Sequence, residues 1–205
     1  MHVGGVLLVL AVMSSPGAKG GAPVGTHLAA GANAFREGHY EDALVEFRVA
    51  QELGAGDAGP YAAATLVKLG RPEEAVEAFA ATEEGRDTLL DYYRGVACYQ
   101  ARLYLCADRL LASVGARSGP RIAEEAARAR AAIASELAKE PPRSTVDWYL
   151  TRCGERRDAG RPALAAALCE EAVGLAQRRT DRYRLTEATT QLAKLPLSGR
   201  AGVAR

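Results

Sequence analysis

One spacing recurs along the chain, and it constrains the fold more than any other feature. In the segment EGHYEDALVEF, Gly38 stands two residues before an aromatic, five before Ala43 and nine before Phe47. The segment LGRPEEAVEAF repeats these intervals 32 residues later from Gly70, with proline at the second place. A lone amphipathic helix needs no glycine at a fixed distance ahead of it. A period of this length therefore indicates stacked copies of one supersecondary unit.

Each glycine of the spacing separates two stretches with helical periodicity. The pattern predicts helices over 27–37 and 41–53, then over 60–69 and 72–82. A third unit places Arg102 where the others have glycine, and a fourth has Gly160. The glycine permits a tight turn, and a small residue seven positions earlier lets the second helix approach closely. Those residues are Gly31, Ala63, Gly95 and Cys153.

This pattern resembles the tetratricopeptide repeat family, in particular its exported bacterial members. The first unit matches at six positions, and the second at five. The third and fourth units are degenerate, and the period is shorter than is usual in the family. The first unit's matches are Gly31, Gly38, Tyr40, Ala43, Phe47 and Ala50.

The resemblance implies an all-α fold, a right-handed superhelix of antiparallel helical hairpins with about four degenerate repeats and extra helices. The expected segments are a signal peptide over 1–22, three hairpins over 24–118, a long intervening helix within 119–142, a fourth hairpin over 146–180, a capping helix over 181–196 and a flexible tail over 197–205.

The first residues predict export. MHVGGVLLVLAVM is an apolar run of about a dozen residues, followed by small and helix-breaking residues. It is too short to span a bilayer but has the length of a signal-peptide core. We expect a periplasmic or secreted protein with no stable transmembrane segment after cleavage. A misassigned start or a buried N-terminal helix is the alternative.

The resemblance also implies a partner-binding groove, lined by the first helix of each hairpin and suited to a protein or peptide. The positions at which relatives grip a terminal carboxylate lack the required lysines and asparagines, so we expect an apolar or aromatic partner segment. In the alternative interpretation the tyrosines fill the seams between repeats. The implied groove residues are Leu28, Phe35, Arg36, Tyr61, Val67, Lys68, Leu89, Tyr92, Tyr93, Tyr99 and Gln100.

No motif predicts catalysis, a cofactor or a metal site. GAGDAG at 54–59 matches a dinucleotide-binding spacing, but it follows a helix where that motif needs a strand. The three histidines offer few base–nucleophile pairs. The acidic pairs, such as Glu83–Glu84 and Glu170–Glu171, are expected on solvated helix faces. A net charge of +1 argues against nucleic acid as a partner, despite the arginines between 152 and 184.

The four cysteines predict two disulfides within hairpins. Cys98 and Cys106 stand four residues on either side of the third turn, and Cys153 and Cys169 flank the fourth. Each pair would face across an antiparallel hairpin, and an exported protein meets an oxidising compartment. Four reduced cysteines that act as small core residues are the alternative.

The predicted function is therefore a non-catalytic protein–protein interaction module of the cell envelope. The alternative is a structural scaffold or assembly subunit that uses the convex face and the ends of the array. The sequence leaves the partner and the oligomeric state open.

Overall fold

The computed structural model describes residues 22–82, 84–139 and 142–195. Within these ranges it contains ten α-helices and no strand, which confirms the predicted all-α class for the described residues. Residues 1–21 of the expected signal peptide and the expected tail at 197–205 lie outside them. The helices are α1 Ala22–Glu37, α2 Tyr40–Glu52, α3 Ala58–Lys68, α4 Pro72–Ala80, α5 Thr88–Gln100, α6 Tyr104–Arg117, α7 Pro120–Leu137, α8 Arg143–Asp158, α9 Pro162–Arg178 and α10 Arg182–Ala193.

The chain divides between Arg71 and Pro72 into two compact units. The first unit carries α1 to α3, and the second carries α4 to α10. The two helices predicted as the second hairpin, α3 and α4, therefore belong to different units.

Six helices end in the same backbone motif. After α1, Gly38 adopts a φ of 85°, and the N–H of the next residue donates to the carbonyl five residues earlier at 2.9 Å. This is the Schellman arrangement, which pairs carbonyls that the helix end leaves free. The same arrangement ends α2 at Gly54, α3 at Gly70, α5 at Arg102, α8 at Gly160 and α9 at Thr180.

In the first unit, close packing of α1 on α2 depends on Gly31. A Cβ at that position would lie 2.8 Å from the ring of Phe47, so only glycine leaves room for the aromatic side chain. The Phe47 ring in turn stacks on Tyr61 of α3, with the ring centroids 5.6 Å apart. Phe47 thus joins all three helices of this unit, as the repeat pattern predicts for its aromatic position.

The second unit repeats this arrangement in α5 and α6. A Cβ at Gly95 would lie 2.8 Å from Leu111, the residue at the place that Phe47 occupies in the first hairpin. The long helix α7 then packs on α6 and also contacts α5. Its bounds lie within the segment 119–142, where the sequence predicts a long intervening helix.

Helix α9 is the centre of the second unit. Eleven of its residues are buried, and it packs against α8, α10, α4 and α6. In a simple repeat array each hairpin would contact only its neighbours along the chain. The contacts of α9 with α4 and α6 depart from that expectation. Six of the eleven buried residues of α9 are alanines, whose small side chains allow helices to approach from several sides.

Two glutamates cap helices other than their own. The N–H of Leu164 in α9 donates to Glu77 of α4 at 2.7 Å, and the N–H of Leu105 in α6 donates to Glu171 of α9 at 2.8 Å. Neither α6 nor α9 has a capping side chain of its own. The carboxylates satisfy N–H groups that would otherwise lack partners, and they lie at the positive end of the helix dipole.

Glu171 corrects the expectation for the acidic pairs. The sequence places Glu170–Glu171 on a solvated face, but Glu171 is only 2% exposed. Its position opposite the first turn of α6 explains the burial, because the cap replaces the water that a carboxylate would otherwise need.

Candidate functional site

The predicted groove residues divide into accessible and buried groups. In the first unit, Arg36 is exposed, Leu28, Tyr61 and Lys68 are half-buried, and Phe35 and Val67 are buried. In the second unit, Gln100 is exposed, Leu89 and Tyr99 are half-buried, and Tyr92 and Tyr93 are buried. The accessible residues could contact a partner without any rearrangement of the fold.

Four predicted groove residues are corrected by their burial: Phe35 and Val67 are 4% exposed, and Tyr92 and Tyr93 are 2% exposed. The two tyrosines lie within a run of eight consecutive buried residues in α5. Burial raises the pKa of Tyr92 to about 12, and Glu125 of α7 acts in the same direction. The intervening helix α7 therefore lies over the face of α5 that was expected to be open.

A cleft in the second unit lies between α4, α5, α6 and α9. It contains about 450 Å³ of empty space, open solvent included. Sequence reasoning did not assign this cleft, because its walls come from helices that are far apart in the chain. The lining residues are Val76, Phe79, Ala80, Arg94, Cys98, Cys106, Arg109, Leu110, Ala163 and Ala167.

Arg94 is a buried guanidinium in the wall of this cleft. It is 8% exposed and lies over the ring of Phe79, 5.4 Å from the centroid. One of its terminal nitrogens donates to the Thr82 hydroxyl at 2.6 Å and to the Thr82 carbonyl at 3.1 Å. Burial lowers the pKa of Arg94, and the nearby Glu84 and Asp91 oppose this effect. Its Nε is buried and has no hydrogen-bond partner among the described residues.

Arg109 lies beside Arg94, and both contact Glu84. Arg109 donates to the two carboxylate oxygens of Glu84 at 2.9 and 3.4 Å, and Arg94 lies 3.6 Å from the same carboxylate. The side chain of Arg109 is 38% exposed, so it is the more accessible of the two guanidinium groups. One feature of the sequence could have indicated this pair of arginines: Arg94 is the only basic residue of α5 and interrupts its apolar pattern.

Both predicted cysteine pairs are disulfides in the structure. Cys98 and Cys106 join α5 to α6 in the wall of the cleft, with Cα atoms 6.1 Å apart. Cys153 and Cys169 join α8 to α9 with a Cα separation of 5.4 Å. Both separations lie in the range that a disulfide requires.

The described residues contain no group of three or more metal-ligating side chains. The segment at 54–59 follows α2 and includes the first two residues of α3, and the part of the chain that the structure describes places no strand before it. Several arginines considered for nucleic-acid contact are paired instead: Arg184 bonds Asp147 at 2.5 and 2.9 Å, and Arg156 bonds Glu73 at 2.8 Å. In the part of the chain that the structure describes, no helix has both the length and the apolar character needed to cross a bilayer.

Comparison with protein-family models, with characterised proteins and with solved structures gives no match.

Proposed function

We propose that the chain is a non-catalytic protein-interaction module that acts in the cell envelope after export and holds a peptide or a partner helix. The observation that carries this proposal is the repeated hairpin, in which a glycine packs against a large side chain at the same two positions in both units. Gly31 meets Phe47, and Gly95 meets Leu111. The proposal retains the resemblance to tetratricopeptide repeats, and the right-handed superhelix stays a prediction.

Each unit has its own proposed contact surface, and each is smaller than the sequence implied. In the first unit it consists of the accessible groove residues Leu28, Arg36, Tyr61 and Lys68. In the second unit it consists of Leu89, Tyr99 and Gln100. Tyr99 is the strongest candidate for an anchor, because it combines a large aromatic surface with partial exposure and lies near Tyr104, with ring centroids 6.1 Å apart.

A scaffold role is the second candidate, and a separate observation favours it. The large hydrophobic side chains with the greatest exposure in the described chain all lie outside the groove set. Val45 on α2 is 59% exposed and Leu53 directly after α2 is 47% exposed. Trp148 on α8 is 40% exposed, and Tyr183 on α10 is 75% exposed. Association surfaces contain such side chains in contiguous patches, so these positions are the ones to test for a scaffold interface.

Position-specific photocrosslinking distinguishes the two roles. The mature chain carries a photoreactive residue in place of Lys68 or Gln100 in the groove set, or of Val45 or Tyr183 outside it. We expect a discrete partner adduct from the groove positions in envelope extract. Adducts from Val45 and Tyr183 alone would favour the scaffold.

Affinity measurements with the captured partner test the anchor. We expect Tyr99→Ala to weaken binding by about 1–3 kcal/mol and to leave the fold intact, as truncation of an aromatic anchor does. Tyr183→Ala is the matched control and should bind normally. The reverse result would move the contact surface to α10.

Export is a separate part of the proposal. The intact mass of the protein made in a diderm host should show the loss of roughly the first 17–25 residues, as expected for signal cleavage. A full-length species confined to the cytosol would contradict export without affecting the interaction surface.

A further inference from the structure

We propose that the cleft between α4, α5, α6 and α9 binds a small aliphatic monocarboxylate, with its carboxylate on Arg109 and Arg94 and its chain along the apolar walls. This site is independent of the partner surface proposed above.

The charges around the cleft leave one positive charge unmatched. Among the described residues, Arg94 and Arg109 share the single carboxylate of Glu84. Asp91 also acts on Arg94 but bonds Arg117 at 2.7 Å, and Glu77 caps α9. The three guanidinium groups of Arg94, Arg109 and Arg117 therefore share two carboxylates, which leaves room for one further anion. Carboxylates fit the planar donor geometry of arginine.

The rest of the lining indicates an aliphatic chain. Apart from the two arginines and the disulfide, every lining residue is apolar, and three of them are alanines that leave space between the helices. A peptide would bring backbone N–H and C=O groups that find no partners on these walls, which costs free energy. A hydrocarbon chain has no such groups.

Glu84 is the built-in competitor of this ligand. Its carboxylate already occupies the accessible donors of Arg109, and its side chain is only 29% exposed. An incoming carboxylate must share or displace these contacts. Removal of the Glu84 charge should therefore strengthen binding, whereas removal of the Arg109 charge should weaken it.

Isothermal titration of the full mature chain with octanoate tests the proposal. We expect one molecule to bind, and octan-1-ol, which has the same chain without the charge, to bind at least about tenfold more weakly. Arg109→Gln should reduce octanoate affinity by about tenfold or more, and Glu84→Gln should increase it several-fold. We choose Arg109 because its side chain is partly exposed, so its substitution should leave the fold intact. Circular dichroism of each variant checks that it is folded.

Three results would overturn the assignment. They are the absence of octanoate binding to both the parent and Glu84→Gln, equal binding of octanoate and octan-1-ol, and unchanged affinity in a folded Arg109→Gln. Tighter binding of a tetrapeptide with a free C-terminal leucine than of octanoate would replace the aliphatic acid with a peptide terminus. If the parent and Glu84→Gln bound octanoate with equal affinity, the proposed competition between Glu84 and the ligand would be refuted.

Discussion

Arg102 and Thr180 adopt backbone conformations that the other helix ends reserve for glycine. Their φ values are 64° and 54°, against 68–93° for the glycines of the same motif. A side chain with a Cβ is disfavoured in this left-handed region, and a β-branched residue such as threonine more so. The carbonyl of Arg102 also accepts a 2.5 Å hydrogen bond from the Tyr149 hydroxyl, which helps to hold the turn.

We expect Arg102→Gly and Thr180→Gly each to raise the free energy of unfolding by about 1 kcal/mol, because glycine removes the strain and retains the backbone hydrogen bonds. Denaturant unfolding measures the change in the free energy of unfolding, provided that the variants and the parent have the same m-value. Ala101→Gly is the matched control: Ala101 has a φ of −78°, so glycine there adds only flexibility and should lower stability. A less stable Arg102→Gly would mean that the arginine side chain contributes more than the strain costs.

Gly95 and Gly115 make a second matched pair at the residue scale. Both lie inside helices of the second unit, but a Cβ at Gly95 would lie 2.8 Å from Leu111, whereas a Cβ at Gly115 meets nothing within 4 Å. We expect Gly95→Ala to destabilise by about 1–3 kcal/mol through overpacking. Gly115→Ala should stabilise by about 0.5–1 kcal/mol through helix propensity. Thermal unfolding of both variants shows whether each substitution raises or lowers stability. If Gly95→Ala were stabilised like Gly115→Ala, the close packing at Gly95 would be refuted.

At the scale of elements, the cap that Glu171 provides to α6 couples stability to pH. Burial raises the pKa of Glu171 to about 7, and the N–H donors of Leu105 and Cys106 partly oppose this effect. The folded state therefore holds this proton over a pH range in which the unfolded chain has released it. Because the folded state binds more protons there, the free energy of unfolding must fall as pH rises.

We expect the stability of the parent relative to Glu171→Gln to fall by on the order of 2–3 kcal/mol between about pH 4.5 and pH 7, and to level off above that. Chemical unfolding of both proteins across this pH range gives the difference between their free energies of unfolding. The contributions of the other titrating groups are common to both proteins and cancel in this difference. A relative stability that rises with pH would show that the helix N–H groups hold Glu171 in its ionised form.

Helix bounds could largely be predicted from the sequence, whereas the contacts between distant helices could not. The predicted helix of 41–53 is observed as Tyr40–Glu52, since glycine and proline mark helix ends through backbone geometry alone. Glu171 looked like any surface carboxylate, because its partner is 65 or more residues away along the chain. The six buried alanines of α9 are equally compatible with many neighbours, so the repeat pattern could not predict packing on α4 and α6.

The same limit applies to the candidate sites. The repeat positions identified residues such as Tyr99 and Gln100 that remain accessible, but they also included Tyr92 and Tyr93, which are buried. Whether a helix face is open depends on what packs over it, and α7 has no counterpart in the repeat pattern. The cleft between α4, α5, α6 and α9 likewise exists only where α9 returns to α4.

At the scale of the whole molecule, two disulfides hold the second unit. Each joins the two helices of one hairpin across a short loop, Cys98 to Cys106 and Cys153 to Cys169. Such links stabilise mainly by restricting the unfolded chain, by about 2–3 kcal/mol for loops of this length. The alternative, four reduced cysteines, would leave the same small side chains in the core.

We expect no free thiols when the mature protein is denatured without reductant, and peptide mapping should recover the Cys98–Cys106 and Cys153–Cys169 links. Reduction should lower the free energy of unfolding, and Cys153→Ala/Cys169→Ala should lower it by about 2–3 kcal/mol before reduction. In that double variant reductant should cause a smaller further loss, because only one link remains. Four free thiols in protein purified from the periplasm would refute both bonds, and a Cys98–Cys153 peptide would refute the pairing.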